Sequence, residues 1–289
     1  MTFLSDFLWG WTAYGFMRTA LCAVLLIAPL YGLLGTMAVD GRMAFFSDSL
    51  GHSAITGIAL GVMLGIQTPA WAMILYGLAY ALLLCYVKGR GAASTDTTIG
   101  VFSSTGLALG VVLLSRNGGF AKYSGYLIGD LLAIEPGDIA TAAVLLGATL
   151  LFWAFFYNPM LLNSISGPVA SSRGVRTRLL ETAFACLLAV VVMLSIRWVG
   201  TLMLNAMLVL PAAAARNLAR NVRHYHLLSV LLALVCSVVG LLLSFAWGTA
   251  SGATIVLILA AGYAITLGVR SRNAAGSASP RIFIKKKRI

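Results

Sequence analysis

Long apolar stretches alternate along this chain with short polar connections. Nine apolar runs stand out, at residues 15–39, 46–65, 70–87, 99–114, 139–157, 179–196, 201–215, 227–247 and 253–269. A helix that crosses the hydrocarbon core of a bilayer needs roughly 20 mostly apolar residues. Most of the runs approach that length, and the connections between them are too short to fold by themselves. The run at 201–215 is shorter and holds Asn205 and Pro211, which predicts a broken or partly re-entrant helix. Another short apolar piece, at 126–134, ends in Glu135-Pro136-Gly137. Half-spanning backbone is tolerated at membrane depth only where protein or a watery cavity covers it. The pattern predicts an all-α, polytopic transmembrane bundle of eight to nine spans over residues 15–270. An N-terminal flank at 1–14 and a basic, disordered tail at 271–289 complete the chain.

Composition agrees with that reading. The 289 residues are 60% hydrophobic and 10% charged, with a mean hydropathy of +0.96. A water-soluble domain carries about 25% charged residues. The net charge of +12 could suggest nucleic acid, but the distribution of Lys and Arg argues against it. With nine alternating spans, one side of the membrane receives Arg42, Lys88, Arg90, Arg173, Arg176, Arg178, Arg216, Arg220, Arg223, Arg270, Arg272 and the tail. The other side receives Arg116, Lys122 and Arg197. That asymmetry is the positive-inside pattern and predicts an external N-terminus and a cytoplasmic C-terminus. The tail ends in Lys285-Lys286-Lys287-Arg288, and such clusters attract anionic lipid. No basic region followed by a cleavage site opens the sequence, so no cleaved signal peptide is expected.

The four cysteines, Cys22, Cys85, Cys186 and Cys236, lie far apart inside apolar runs and form no CxxC. They read as small buried hydrophobes. Neither GxxxxGK[ST], HExxH nor GxSxG occurs, which removes the common ATP-binding loop and two hydrolase signatures. His224 and His226 fall in the Arg-rich connection before the eighth run and read as solvated loop residues.

The chemistry that remains is concentrated in Phe46-Ser47-Asp48-Ser49-Leu50-Gly51-His52-Ser53-Ala54-Ile55-Thr56-Gly57. Positions i and i+4 share a helix face, so Asp48 and His52 can address one spot. Ionisable residues in a membrane run are expensive and mark functional sites by default. Taken alone, the pair is compatible with a satisfied packing group or with half of a divalent-cation site. Gly57, Gly61 and Gly65 follow at four-residue spacing and predict close approach of another helix. Further on, Pro211 is expected to break the helix that holds Asn205. Beyond it, Arg216, Arg220 and Arg223 would share one face of a basic surface piece that could dock on an acidic groove of a partner, or serve as an ordinary positive-inside loop.

These stretches resemble the zinc/manganese-type ABC transporter permeases. Asp48 to Gly57 is similar to the family's DxxxHxxxxG motif. Asp96-Thr97-Thr98-Ile99-Gly100-Val101-Phe102-Ser103 with Ala108-Leu109-Gly110 looks like a second block, and Tyr126-Leu127-Ile128-Gly129-Asp130-Leu131-Leu132 like a third. The stretch from Asn205 through Pro211 to Arg216 and the stretch Ser251-Gly252-Ala253-Thr254-Ile255-Val256-Leu257 complete five blocks in order. The chain departs from the pattern at Phe45-Phe46-Ser47 and in its basic tail.

The resemblance implies a transport subunit, not an enzyme, in the cytoplasmic (inner) membrane. It implies a permease homodimer, a separate cytoplasmic ATP-binding subunit and an extracytoplasmic metal-binding protein that delivers the ion. Asp48 and His52 would be the metal ligands, Asn205 a pathway residue, and Arg216, Asn217, Arg220 and Arg223 the ATPase-coupling segment. The cation, zinc or manganese, would be a substrate and no cofactor would be bound permanently. An imidazole must be neutral to bind a metal, so transport should weaken at acidic pH. Two rival readings remain open at this point: an ABC permease for a metal chelate, and a proton-coupled secondary transporter using Asp48.

Overall fold

The computed structural model describes residues 13–66, 69–90, 94–116, 129 and 131–276. Its helices are α1 (Gly15–Asp40), α2 (Phe46–Met63), α3 (Pro69–Gly89), α4 (Thr95–Arg116), α5 (Pro136–Ile165), α6 (Gly167–Ser172), α7 (Thr177–Leu218), α8 (Val222–Trp247) and α9 (Ser251–Gly276), with one 3-10 turn at Leu131–Ala133. Each apolar run of the sequence lies on one of these helices, and α7 carries two of them. The third family block is described only at Gly129, Leu131 and Leu132. The flank at 1–12, Lys122 and the tail from 277 lie outside the described residues.

Seven of the helices are long and apolar enough to cross a membrane. The eighth long one, α2, falls short on composition because Ser47, Asp48, Ser49, His52 and Ser53 crowd its first two turns. It is nevertheless enclosed by α3, α4 and α7. The chain is a polytopic helical bundle, with many large apolar side chains such as Leu75, Val112, Val144 and Phe155 facing outward, as a lipid-facing surface requires.

Helix α7 is not one rod. Gly200 has φ 73° and ψ 162° within it, a region of backbone space that only glycine visits cheaply. Glu181, near the start of α7, meets Lys88 at 3.0 Å and Asn163 at 3.1 Å. Glu181 and Asp40 line one small cavity, and Asp40 lies 4.0 Å from Arg216 in the last turn of α7. Both ends of α7 therefore sit at one end of the bundle. Arg197, between them, pairs with Asp138 at 3.2 Å, at the start of α5 and the opposite end. The chain doubles back at Gly200, with an outgoing arm of ~34 Å and a returning arm of ~26 Å at 1.5 Å per residue. The backbone of Gly129 packs so closely on Val199 and Gly200 that no Cβ fits between them.

This places the break differently from the sequence expectation. Pro211 is buried in the returning arm and the helix continues through it to Leu218. A proline in a helix interior removes one N–H bond and kinks or breaks the helix, but here the backbone stays helical at Pro211, and the non-helical residue is Gly200, which reverses the chain. The glycine spacing of α2 is half realised. A Cβ on Gly57 would press on Met73 and Tyr76, and one on Gly61 on Ala72, so these two admit α3. Gly65 lies beyond the helix with φ 69°, and a Cβ there would meet no neighbour, so it admits no helix.

The cysteines are free and differ in burial. Cys236 is buried, Cys85 and Cys186 are half-buried, and Cys22 is exposed. For Cys22 the buried expectation fails, because its side of α1 faces outward.

Candidate functional site

Asp48 stands in the first turn of α2, where the unpaired N–H groups and the helix dipole favour a carboxylate. His52 follows one turn later. Its Nε2 lies 3.6 Å from Asp48 Oδ1, and the two side chains remain 39% and 37% exposed. The separation leaves oxygen and nitrogen lone pairs free to turn toward a third body. Partial exposure in a largely buried helix distinguishes this pair from a satisfied core contact.

On the α4 side of this face, α2 is fastened by hydroxyls. Ser49 hydrogen-bonds the Tyr80 hydroxyl of α3, and its Oγ donates to the Ile99 carbonyl of α4 at 3.3 Å. Thr56 donates to the Gly106 carbonyl. Gly106 and Gly110 of α4 leave no room for a Cβ against Ser53 and Thr56. Helix α2 thus cannot rotate freely, and the face with Asp48 and His52 is held outward.

The returning arm of α7 runs antiparallel to α2 beside this face. Ser47 Oγ donates to Asn205 Oδ1 at 3.4 Å, and Gly51 fits against Thr201. Asp48, His52 and Asn205 therefore collect at the same level, eleven residues or ~16 Å above Arg216 along the helix axis. Phe45 and Leu202 flank them and are each 62% exposed. Among the described residues no group of three or more His, Cys, Asp or Glu side chains could hold a metal. The described residues of one chain offer a carboxylate, an imidazole and a nearby amide here, short of the four ligands a Zn²⁺ site takes.

The basic segment is built differently from its sequence expectation. Arg216 lies in the last turn of α7, Arg220 in the connecting turn and Arg223 in the first turn of α8. They share an exposed surface at the reversal, not one face of a helix. The helix ends at Leu218 because Asn221 caps α8, its side chain accepting from the His224 N–H at 2.8 Å. Asn217 joins α7 to α9, donating to Thr266 at 3.3 Å and accepting from Arg270 at 3.1 Å. A surface depression of about 390 Å³ adjoins this turn, and a second, of about 400 Å³, shares Leu161 and Ile165 of α5 with it. Arg216 and Arg220 line one, and Arg173 the other.

His226 departs from its expectation as a solvated loop residue. It lies inside α8 and is 4% exposed, with Nδ1 2.8 Å from Thr36 Oγ1 and its ring edge-on to Trp153 and Tyr157 at 5.1 and 5.4 Å. The neighbouring arginines suggest a loop, but the helix begins at Val222 and turns His226 inward. The sequence signals that point to this are Asn221, a helix-capping residue type, and the apolar run that starts at Leu227, directly after His226.

The sequence matches the ABC 3 transport family over residues 13–270. The chain belongs to that family. Among its relatives, the manganese import system permease protein ScaB of Streptococcus gordonii is 30% identical over 254 residues, covering 88% of this chain and 91% of ScaB. The high-affinity zinc uptake system membrane protein ZnuB of Haemophilus influenzae is 30% identical over 258 residues, covering 89% and 97%. The solved structure of PsaBC from Streptococcus pneumoniae in complex with Fab contains a chain 28% identical to this one. It superposes with a TM-score of 0.79 over 91% of this chain and 95% of that one. As an ABC 3 family member this chain is a transmembrane permease subunit, a transport component and not an enzyme.

Proposed function

We propose that this permease imports a free divalent cation, Zn²⁺ or Mn²⁺, through a path that passes Asp48 and His52. The reading rests on one observation: an Asp–His pair at mid-bundle, partly exposed, with too few donors among the described residues of one chain to close a coordination shell. A second copy facing the first across the Phe45–Leu202 rim would supply an equivalent pair. Two carboxylates and two imidazoles suit either ion, and Asn205 adds a neutral oxygen on the wall. The ion is a passing substrate, so the site must bind weakly enough to release it.

The basic end of the bundle faces the cytoplasm in this reading, by the positive-inside rule, which puts the C-terminus inside and the protein in the cytoplasmic (inner) membrane. A cytoplasmic ATP-binding subunit docks there, against Arg216, Asn217, Arg220, Arg223 and the depressions beside Leu161 and Ile165. An extracytoplasmic metal-binding protein delivers the ion at the opposite end. The manganese and zinc systems named for the relatives support the cargo class.

Metal uptake by cells carrying Asp48→Ala or His52→Ala, as the sole importer, tests the site. Both variants are expected to reach the membrane in normal amounts and to lose uptake of ⁶⁵Zn or ⁵⁴Mn. Normal uptake by both removes the assignment. Stimulation of ATP hydrolysis by a metal chelate but not by the free ions would transfer the cargo to the chelate class.

A further inference from the structure

At the basic end, between the last turns of α3 and the first turn of α7, lies a cavity of about 510 Å³ away from the Asp48 face. Lys88, Arg90, Arg178 and Glu181 line it. Three cations thus meet one carboxylate, and that carboxylate is already used: Glu181 Oε2 accepts from Lys88 at 3.0 Å and Oε1 from Asn163 at 3.1 Å. Arg90 is held in place by Tyr86, hydrogen-bonding its hydroxyl and lying 4.9 Å over its ring. A guanidinium carries five N–H donors, so most of those on Arg90 stay open among the described residues. Arg178 is exposed, and among the described residues its guanidinium meets no carboxylate or other side-chain acceptor. Among the described residues, the cavity therefore presents two guanidinium groups with donors to spare for an anion.

Its outer wall is apolar. Tyr86 and Leu82 line the cavity, and Leu75 continues the line along α3 at the same helical register. All three are more than half exposed, at 59%, 52% and 63%. They form a stripe ~16 Å long on the outward face of the helix, running from the cations toward the middle of the bundle. A soluble anion has no use for such a stripe, whereas acyl chains do. Basic pockets between transmembrane helices are where anionic lipid headgroups bind, and a guanidinium fork matches a phosphate.

We propose that this cavity binds one anionic phospholipid, its phosphate held by Arg90 and Arg178 and its acyl chains lying along Leu75, Leu82 and Tyr86. The lipid would bridge α3 and α7 at the end where the Lys88–Glu181 pair already joins them. The site is independent of the cation path.

Native mass spectrometry of the full-length chain, purified in neutral detergent and supplied with phosphatidylglycerol or phosphatidylcholine, tests the proposal. The wild type is expected to retain phosphatidylglycerol over phosphatidylcholine by about tenfold, and the Arg90→Gln/Arg178→Gln variant to lose that preference. Arg178→Glu, a single change at an exposed position, should reverse the preference and serves if the double variant proves unstable. Equal retention of the two lipids by the wild type, or an unchanged preference in both variants, overturns the proposal. Displacement of the lipid by equimolar inorganic phosphate would overturn it in favour of a soluble anion. Loss of the ATP-binding subunit from Arg178→Glu with lipid preference intact would make the cavity a protein contact instead.

Discussion

Ser47 Oγ donates to Asn205 Oδ1 across 3.4 Å, and this bond ties the helix that carries Asp48 and His52 to the returning arm of α7. The donor is adjacent in sequence to the proposed ligand Asp48. Movement of one helix against the other would therefore alter the environment of the pair.

Ser47→Ala removes the donor but leaves the Asn205 amide free to face the path. Asn205→Leu removes the amide and places an apolar side chain beside the pair. The first is expected to leave uptake within a few-fold of wild type, since a net hydrogen bond is worth about 1 kcal/mol. The second should raise the half-saturating metal concentration by about tenfold, the usual loss when a supporting polar group next to a metal ligand is removed. Radiometal uptake across a concentration series separates the two, and equal behaviour would mean that Asn205 only holds Ser47.

The reversal at Gly200 makes a sharper demand. Its φ of 73° with ψ of 162° costs a side-chain-bearing residue about 1–3 kcal/mol. Gly129 faces it backbone to backbone and excludes a Cβ as well. Gly200→Ala and Gly129→Ala should each lower the unfolding midpoint in detergent. Because the two share one contact, the double variant should lose less than the sum. Additive losses would show that Gly129 is required for its own φ of 66° and not for the fit against Gly200.

The positions of the long helices are legible in the apolar runs, because a membrane-sized apolar stretch has few other folds available, although α5 and α9 run on past theirs, to Ile165 and Gly276. The Asp48–His52 face is legible for the same reason: two costly side chains at i, i+4 must share a surface. What does not carry over is the inference from single residues to chain direction. Pro211 has the look of a break and is merely an interior residue, whereas Gly200, one of 30 glycines, turns the chain around. The difference lies in φ, which composition does not reveal. Arg216, Arg220 and Arg223 keep the exposure expected of them but not the common helix, since the cap at Asn221 starts a new one between them. His226 is hidden by its basic neighbours, and its partner Thr36 stands 190 positions away.

Arg42 is a non-glycine residue in left-handed conformation, with φ 55°. It follows α1, where Gly41 N–H returns to Met37 O at 2.9 Å and Met43 N–H to Ala38 O at 2.7 Å. Helix ends of this form usually place glycine at that position, and a left-handed L-residue costs roughly 1–2 kcal/mol. Part of the gain from glycine is offset by the entropy it adds to the unfolded chain. Arg42→Gly is therefore expected to stabilise the protein by about 0.5–1 kcal/mol, read as a higher unfolding midpoint. A lower midpoint would mean that the exposed guanidinium makes a stabilising contact in the assembled transporter.

The coupling assignment is best tested at Arg220. Reversing Arg216 would bring a carboxylate beside Asp40, which Arg216 now approaches to 4.0 Å, so Arg216→Glu would disturb the permease as well as any partner. Arg220 lies in the turn between α7 and α8, exposed, and lines the depression beside Leu161 and Ile165. Its reversal changes the sign of the surface with little effect inside the fold. Arg220→Glu is expected to reduce co-purification of the ATP-binding subunit by about tenfold, in keeping with like charges set against each other across an interface. Raising the salt concentration should narrow the difference, because exposed charges are screened within about 8 Å at physiological ionic strength. Retention of the subunit and normal ATP hydrolysis with Arg220→Glu would move the docking surface away from this turn, toward the Arg173 side of the Leu161–Ile165 ridge, where Arg173→Glu becomes the decisive variant.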